Sequence, residues 1–211
     1  MNPFEDPDLV SGYEEWYRTV GRRADHLERA LLGRLVAAFP QARTALEVGC
    51  GTGHFTRWMS SRNLAAVGLD VSRTMLAEAA SLGSRPLVRG DALRLPFRKG
   101  AFDLVALITT LEFTRKPVSV VAEALRVTRF GLVLGVLNRQ SRLGQQRKKE
   151  GGTVWDAACF FTPRELSDLV KRAAGGKQIA IIWRTTLWPW WPGALPLPWG
   201  GFIGMVVELV E

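Results

Sequence analysis

The sequence predicts an α/β fold, a doubly wound and mostly parallel sheet with helices on both faces. Three observations carry that expectation. Short apolar runs at Leu46–Val48, Val67–Leu69, Leu87–Val88 and Leu104–Leu107 alternate with segments of helical period, the pattern of successive β–α–β units. The first run passes without a break into Gly49-Cys50-Gly51-Thr52-Gly53 and then into a helical segment, so the order there is strand, tight turn, helix. Glu47, Asp70 and Asp91 each close one of three successive runs, and in an open parallel sheet such strand ends line a single crevice.

In chain order, Met1–Val10 is acidic and broken by proline, which does not read as a signal peptide. Tyr13–Arg18 is rich in aromatics, and Asp25–Phe39 has the period of an amphipathic helix, with Leu27, Leu31, Leu35 and Phe39 on one stripe until Pro40 ends it. Thr44–Leu46 reads as a buried strand leading to the glycine turn, where residues without a Cβ let a ligand lie against bare main chain. Phe55–Met59 begins a helix. Val67–Asp70 is the second strand, followed by Ser72 as cap of a helix over Arg73–Leu82. Leu87–Asp91 is the third strand and Ala101–Leu107 the fourth, with Asp103 assigned to pairing with backbone at the strand start. Pro117 suits the first turn of a helix reaching Thr128, with Val121, Ala124, Leu125 and Val127 on its apolar face, and a turn over Thr128–Leu132 leads into a fifth strand at Leu132–Leu137.

Asn138–Glu150 holds Arg139, Arg142, Arg147, Lys148 and Lys149 with no acid before Glu150, and Gly151-Gly152 marks a flexible point before Trp155–Phe161. Thr162-Pro163-Arg164-Glu165 is a helix start of capping-box type. Thr185–Val207 has no charged side chain, yet its prolines and glycines prevent a continuous membrane-spanning helix. The better parse is a hairpin: a strand over Gln178–Leu187, a loop of sequence WPWWPGALPLPWGG whose Trp188, Trp190, Trp191 and Trp199 are either exposed or folded back as a satellite core over the sheet edge, and a strand over Phe202–Val210.

The chain has 211 residues, 47% of them hydrophobic, enough for one substantial core. No repeat unit stands out. Two cysteines, Cys50 and the distant Cys159, form no disulfide framework and point to a reducing cytoplasm. A formal charge of +8 admits an anionic acceptor, an anionic lipid surface or nucleic acid, but aromatics are not interleaved with the basic run and no nucleic-acid module is recognisable, which disfavours RNA or DNA.

The turn spells E-x-G-x-G-x-G. A dinucleotide fingerprint, G-x-G-x-x-G, sets its third glycine one residue later, where this chain has His54, and a carboxylate at Glu47 would repel a pyrophosphate while suiting an ammonium or sulfonium. Leu46–Gly53 resembles the first motif of the class I S-adenosylmethionine-dependent methyltransferases. Val67–Ser72 is similar to that family's second motif, and Leu87–Ala92 with Leu93-Arg94-Leu95-Pro96-Phe97 to its third. Ala101–Leu107 is similar to its fourth strand and Ala122–Val127 to the segment before its fifth, although Thr128–Leu132 lacks the family's proline and second glycine. The resemblance is close over Thr44–Leu137 and nearest to the quinone-biosynthesis methyltransferases.

The resemblance implies one domain over 1–211, with seven strands in the order 3-2-1-4-5-7-6 and the last antiparallel. Residues 1–40 would form a helical cap over the cofactor, and 138–161 and 188–200 acceptor-side insertions. It implies S-adenosylmethionine as cofactor, S-adenosylhomocysteine as product, and no metal. Glu47, Gly49, Cys50, Gly51 and Gly53 would cradle the methionine portion, Asp70 with Val71 the ribose, Asp91 with Ala92 the adenine, and the segment of Leu107, Ile108 and Thr109 the underside. From the cap, Tyr13 and Tyr17 would touch the cofactor and Arg18 its carboxylate. An activated methyl donor needs mainly orientation and a dry site, so transfer to an O, N or C atom of a small-molecule acceptor, apolar or anionic, requires a base only where a proton must leave. Glu112, just past the fourth strand, and His54 at the cradle are the candidates for that role. The loop 188–200 is a candidate for peripheral membrane contact or a homodimer interface. The competing expectations are a non-catalytic or membrane-associated S-adenosylmethionine-binding protein and, less favoured, an NAD(P)-binding oxidoreductase.

Overall fold

A computed structural model of the chain describes residues 3–150, 154–156, 158–188 and 191–210, so Gly151, Gly152 and Trp190 lie outside the described residues. After a 3-10 turn at Pro3–Glu5 come α1 (Pro7–Arg18), α2 (Arg22–Val36), β1 (Thr44–Val48), α3 (His54–Ser60), β2 (Ala65–Asp70), α4 (Arg73–Ser81), β3 (Leu87–Arg89) and β4 (Phe102–Ile108). A 3-10 turn at Leu111–Phe113 leads to α5 (Pro117–Val127), β5 (Thr128–Leu137), α6 (Arg142–Glu150), α7 (Pro163–Ala174), β6 (Ile179–Thr186) and β7 (Phe202–Leu209).

The seven strands form one sheet in the order β3-β2-β1-β4-β5-β7-β6, parallel except for β7, which runs antiparallel to both neighbours. The expected order therefore holds. Side chains of a strand alternate between faces, and β4 shows the consequence. Val105 and Leu107 pack with α5 and α7 on one face, while Leu104, Ala106 and Ile108 pack with Leu31, Leu32 and Leu35 of α2 and Phe55, Trp58 and Met59 of α3 on the other.

Local signals account for most boundaries. Ser72 caps α4 by accepting the Met75 N–H, and Thr162 with Glu165 completes a capping box on α7. Asp103 does hold backbone at the strand start: its Oδ2 accepts the N–H groups of Arg43 and Thr44 at 2.9 and 3.0 Å. One expectation needs correction. Thr128–Leu132 is not a separate turn, since α5 runs straight into β5, whose first residue pairs with Phe102 before a bulge shifts the register to Leu104 opposite Gly131. The Thr128 hydroxyl steadies that bulge by donating to the Gly131 carbonyl at 2.7 Å, which replaces the missing proline–glycine turn. Of the two alternatives for the loop tryptophans, Trp188 is not exposed but buried, its indole N–H donating to the Thr185 carbonyl at 3.2 Å. Trp191 and Trp199 are exposed. Among the described residues, no helix is long and apolar enough to cross a membrane.

Candidate active site

The glycine turn between β1 and α3 sits at the C-terminal edge of the sheet. Gly49, Gly51 and Gly53 all adopt positive φ, +74, +52 and +76°, which L side chains resist. A Cβ at Gly49 would lie 2.3 Å from the Thr110 methyl, and one at Gly53 2.1 Å from Ser84 Oγ, whereas one at Gly51 would meet nothing nearer than Met75 Sδ at 3.8 Å. The outer two glycines are thus closed by the chain's own packing. Gly51 alone presents open, bare main chain.

Asp70, at the tip of β2, accepts the Gly51 N–H on Oδ2 and the Ser72 N–H on Oδ1, each at 2.8 Å. Burial raises its proton affinity, and those N–H bonds oppose the rise. Each carboxylate oxygen keeps a further lone pair for a ligand hydroxyl. Glu47 is buried beneath the turn, where it accepts the Thr56 hydroxyl, and burial pushes its carboxyl up to about 8. Cys50 is also buried, its thiol packed close to Gly68, so it offers the cradle only main chain. Leu107 and Ile108 point into the two cores, and Thr109, the next residue, is the one that reaches open space, with φ +51°. Asp91 lies beyond the end of β3, exposed, with Oδ1 accepting the Leu93 N–H at 2.9 Å; Val71 is exposed, and Ala92 packs against the core.

The N-terminal helices are fastened onto this edge. Glu14 of α1 accepts the Thr52 hydroxyl at 2.6 Å and the Arg57 guanidinium at 2.8 Å. Arg57 also donates to the Thr52 carbonyl and Ser84 Oγ. His54 Nε2 lies 2.7 Å from Asp25 Oδ1 of α2, and its ring stacks on Tyr17 with centroids 3.8 Å apart. His54 is therefore engaged with the cap. Ahead of α1, the Phe4 carbonyl accepts the Ser72 hydroxyl at 2.7 Å, and Glu5 takes the Arg73 N–H and Thr74 hydroxyl at the start of α4. Burial holds Tyr13 and Tyr17 protonated, Tyr13 pushed up to about 12. Arg18, expected near a cofactor carboxylate, is exposed, and the cation that reaches the turn is Arg57.

Between the cap, Thr109 and α6 opens a cavity of about 870 Å³. Tyr13, Trp16, Phe113, Trp155 and Trp188 supply aromatic walls, and Arg23, Arg142 and Arg147 add positive charge. The Arg147 guanidinium lies over both Trp16 and Trp155, 5.8 and 5.1 Å from the ring centroids. Glu28 of α2 also lines this cavity although it is only 6% exposed. Glu112 is buried in the floor but not among the lining residues; its Oε1 accepts the Leu137 N–H at 2.7 Å, its Oε2 has no partner among the described residues, and burial pushes its carboxyl up to about 7. Sequence reasoning missed Glu28, Glu14 and Arg57. A signal for Glu28 existed: it stands three, four and seven residues before Leu31, Leu32 and Leu35, on the stripe that faces the core. Among the described residues no group of histidine, cysteine and carboxylate side chains is arranged to hold a metal ion.

A family model described as "Methyltransferase domain" matches residues 46–134. The chain is 27% identical over 176 residues to a protein of Methanocaldococcus jannaschii that is itself uncharacterised, covering 81% of this chain and 80% of that one. It is 36% identical to a demethylmenaquinone methyltransferase of Beutenbergia cavernae over 59% of this chain, but spans only 52% of that enzyme's length. Among solved structures it is similar to a Thermotoga maritima S-adenosylmethionine-dependent methyltransferase described as a possible histamine N-methyltransferase. The TM-score is 0.79 and the identity 26%, with 97% of this chain and 98% of that one covered.

Proposed function

The chain belongs to the class I S-adenosylmethionine-dependent methyltransferases, and from that membership we propose that it transfers a methyl group to a small, largely apolar molecule bound in the cavity under the cap. The observation that carries the proposal is the position of the cavity. It meets the cofactor edge of the sheet at Thr109, Tyr13 and Tyr17, and its size is that of a pocket for a ligand of modest mass. The residues present fit the donor: Gly51 offers unobstructed main chain and Asp70 retains acceptor capacity for a ribose diol.

In this reading Glu47, Gly49, Cys50, Gly51 and Gly53 form the methionine cradle and Asp70 with Val71 receives the ribose. Asp91 with Ala92 lies toward the adenine, Thr109 is the part of the segment 107–109 that reaches the site while Leu107 and Ile108 support it from the cores, and Tyr13 and Tyr17 form the cover. Bound there, S-adenosylmethionine supplies a methyl already activated by its sulfonium, which leaves the chain to orient an acceptor and exclude water. Calorimetric titration tests the first half. Binding of S-adenosylmethionine and S-adenosylhomocysteine without binding of NAD is expected, and failure of both to bind overturns the proposal. Release of S-adenosylhomocysteine across a panel of apolar acceptors tests the second.

The rim of the cavity favours one route of entry. Val20, 84% exposed, and Trp199, 59% exposed, border the opening together with exposed Arg23 and Arg142, and no acid is among the exposed lining residues. Apolar tips flanked by cations suit an anionic bilayer surface, from which an apolar acceptor would pass directly into the cavity.

A further inference from the structure

Six carboxylates are buried among the described residues: Glu14, Asp25, Glu28, Glu47, Asp103 and Glu112. Five accept a hydrogen bond, from Thr52 and Arg57, from His54 and Arg29, from Thr56, from Arg43 and Thr44, and from Leu137 respectively. Glu28 accepts none among the described residues, and it is the one that faces the cavity. A carboxyl drawn largely out of bulk water with no donor from the described residues has only the contents of the cavity to satisfy it, and an acid so placed calls for an explanation. Nothing in α2 requires an acid at this position, because the neighbouring residues on its face, Leu31, Leu32 and Leu35, are apolar core.

We infer that Glu28 is a catalytic residue: it accepts a hydrogen bond, and then the proton, from the hydroxyl or amino group of the acceptor on which the methyl group is placed. The inference rests on the cavity being the acceptor site and deepens that reading, since it specifies an acceptor with an apolar, aromatic-sized body and one protic nucleophile. The X–H bond of the acceptor breaks and its proton passes to a Glu28 oxygen. The pair left on X forms the bond to the methyl carbon, while the carbon–sulfur pair stays on sulfur as the thioether. The proton leaves Glu28 for solvent after product release.

The surroundings suit this role. Glu28 is faced by Tyr13 and Tyr17 from α1, by Asp25 one turn earlier on α2, by Glu112 after β4 and by Arg147 from α6. Burial, then the charges of Asp25 and Glu112, push its carboxyl up to about 8, with Arg147 opposing. A base with that proton affinity takes a proton far more readily than an exposed glutamate does. Glu112, expected as the base, has one oxygen held by the Leu137 N–H and does not line the cavity, so its part is to strengthen Glu28 through like charge.

The test compares 2-naphthol with naphthalene, which differ by one hydroxyl, as ligands of the chain loaded with S-adenosylhomocysteine above pH 8, where Glu28 is ionised. Wild type should bind 2-naphthol about tenfold or more tightly than naphthalene, and Glu28→Gln should bring that ratio down to about one. In turnover, methyl transfer to 2-naphthol should fall on the order of 100-fold in Glu28→Gln, with partial recovery in Glu28→Asp, while transfer to 2-naphthalenethiolate, which has no proton to lose, should change little. The wild-type rate with 2-naphthol should rise with pH up to about 8, and that rise should vanish in Glu28→Gln. Equal loss of affinity for both ligands in Glu28→Gln would overturn the inference in favour of a packing role, and so would a lower melting temperature for Glu28→Leu, which should instead stabilise the ligand-free chain. If neither ligand binds wild type, the cavity is not the acceptor site and both readings fall.

Discussion

Replacing Glu14 by alanine should loosen the cap without disturbing the sheet. Glu14 Oε1 receives two donors, the Thr52 hydroxyl at 2.6 Å and the Arg57 guanidinium at 2.8 Å, and its side chain is 11% exposed. Removing one member of a fully buried pair costs about 3–5 kcal/mol, because the other charge is stranded. Arg57 is not fully stranded: it is 27% exposed and keeps the Thr52 carbonyl and Ser84 Oγ as acceptors. The loss therefore falls to about 1–3 kcal/mol, the range for hydrogen bonds to a charged group. Since α1 is held to the turn largely through this residue and the Tyr17–His54 stack, most of the loss should appear as opening of the cap and not as global unfolding. Amide exchange in α1 should accelerate about 5- to 150-fold, and S-adenosylmethionine should dissociate faster, while protection in β4 and β5 stays near wild type. A cycle with Thr52→Val should be non-additive, since the two side chains share one bond. Unchanged α1 exchange together with unchanged donor affinity in Glu14→Ala would refute the view that this contact holds the cap shut.

The two kinds of glycine in the turn should respond differently to alanine. Gly49→Ala drives a methyl against Thr110 at positive φ and should show mainly as a stability loss of about 2–4 kcal/mol by denaturant unfolding, whereas Gly51→Ala pays only the φ strain of about 1–2 kcal/mol but should abolish donor binding by calorimetry. Burial raises the carboxyls of Glu28, Glu47 and Glu112 to about 8, 8 and 7, so the folded chain holds protons that the unfolded chain has already released. Stability of the ligand-free chain should therefore fall as pH rises from about 5 to 8, by at most about 1.4 kcal/mol per pH unit for each group, and thermal melts of Glu28→Gln and Glu47→Gln should each show a shallower slope. Val20→Asp with Trp199→Ala should abolish co-sedimentation with phosphatidylserine-containing vesicles while leaving S-adenosylmethionine affinity intact. Wild-type chain that stays in the supernatant at low salt, or that self-associates through this face, would remove the membrane route.

What could be read in the sequence was whatever depends on neighbours along the chain. The strand-turn-helix at Leu46–Met59 and the Ser72 and Thr162 caps are local, and each is found as expected. The sheet order followed from the family resemblance and holds. What could not be read depends on which distant surfaces meet. The sequence leaves Trp188 open between exposure and folding back, because what buries it is the wall of a cavity completed by α1 and α6. Glu28 is hidden for a related reason: the apolar stripe of α2 runs through Leu27, Leu31, Leu35 and Phe39, and the sequence alone does not show that the glutamate beside Leu27 faces a cavity completed by α1 and α6. The bulge at Phe102–Leu104 was equally opaque, since it is set by pairing between strands twenty-six residues apart, Phe102 with Thr128.

The pairing of buried charges separates the two halves of the site. On the cradle side every buried acid is satisfied by the protein: Glu47 by Thr56, Glu14 by Thr52 and Arg57, Asp25 by His54 and Arg29. Such groups hold a fixed shape before any ligand arrives, which suits a donor that is the same in every turnover. On the cavity side the pairing stops: among the described residues Glu28 has no donor, and Glu112 behind it has one oxygen unpartnered. Of the two, Glu28 alone lines the cavity, so it is the group whose cost falls when an acceptor enters with a proton to share, and the free energy of satisfying it is gained only in the loaded site. On the proposed reading of the cavity, a chain arranged in this way selects its acceptor by the presence of one protic group, and an acceptor lacking that group should be rejected even when its apolar body fits.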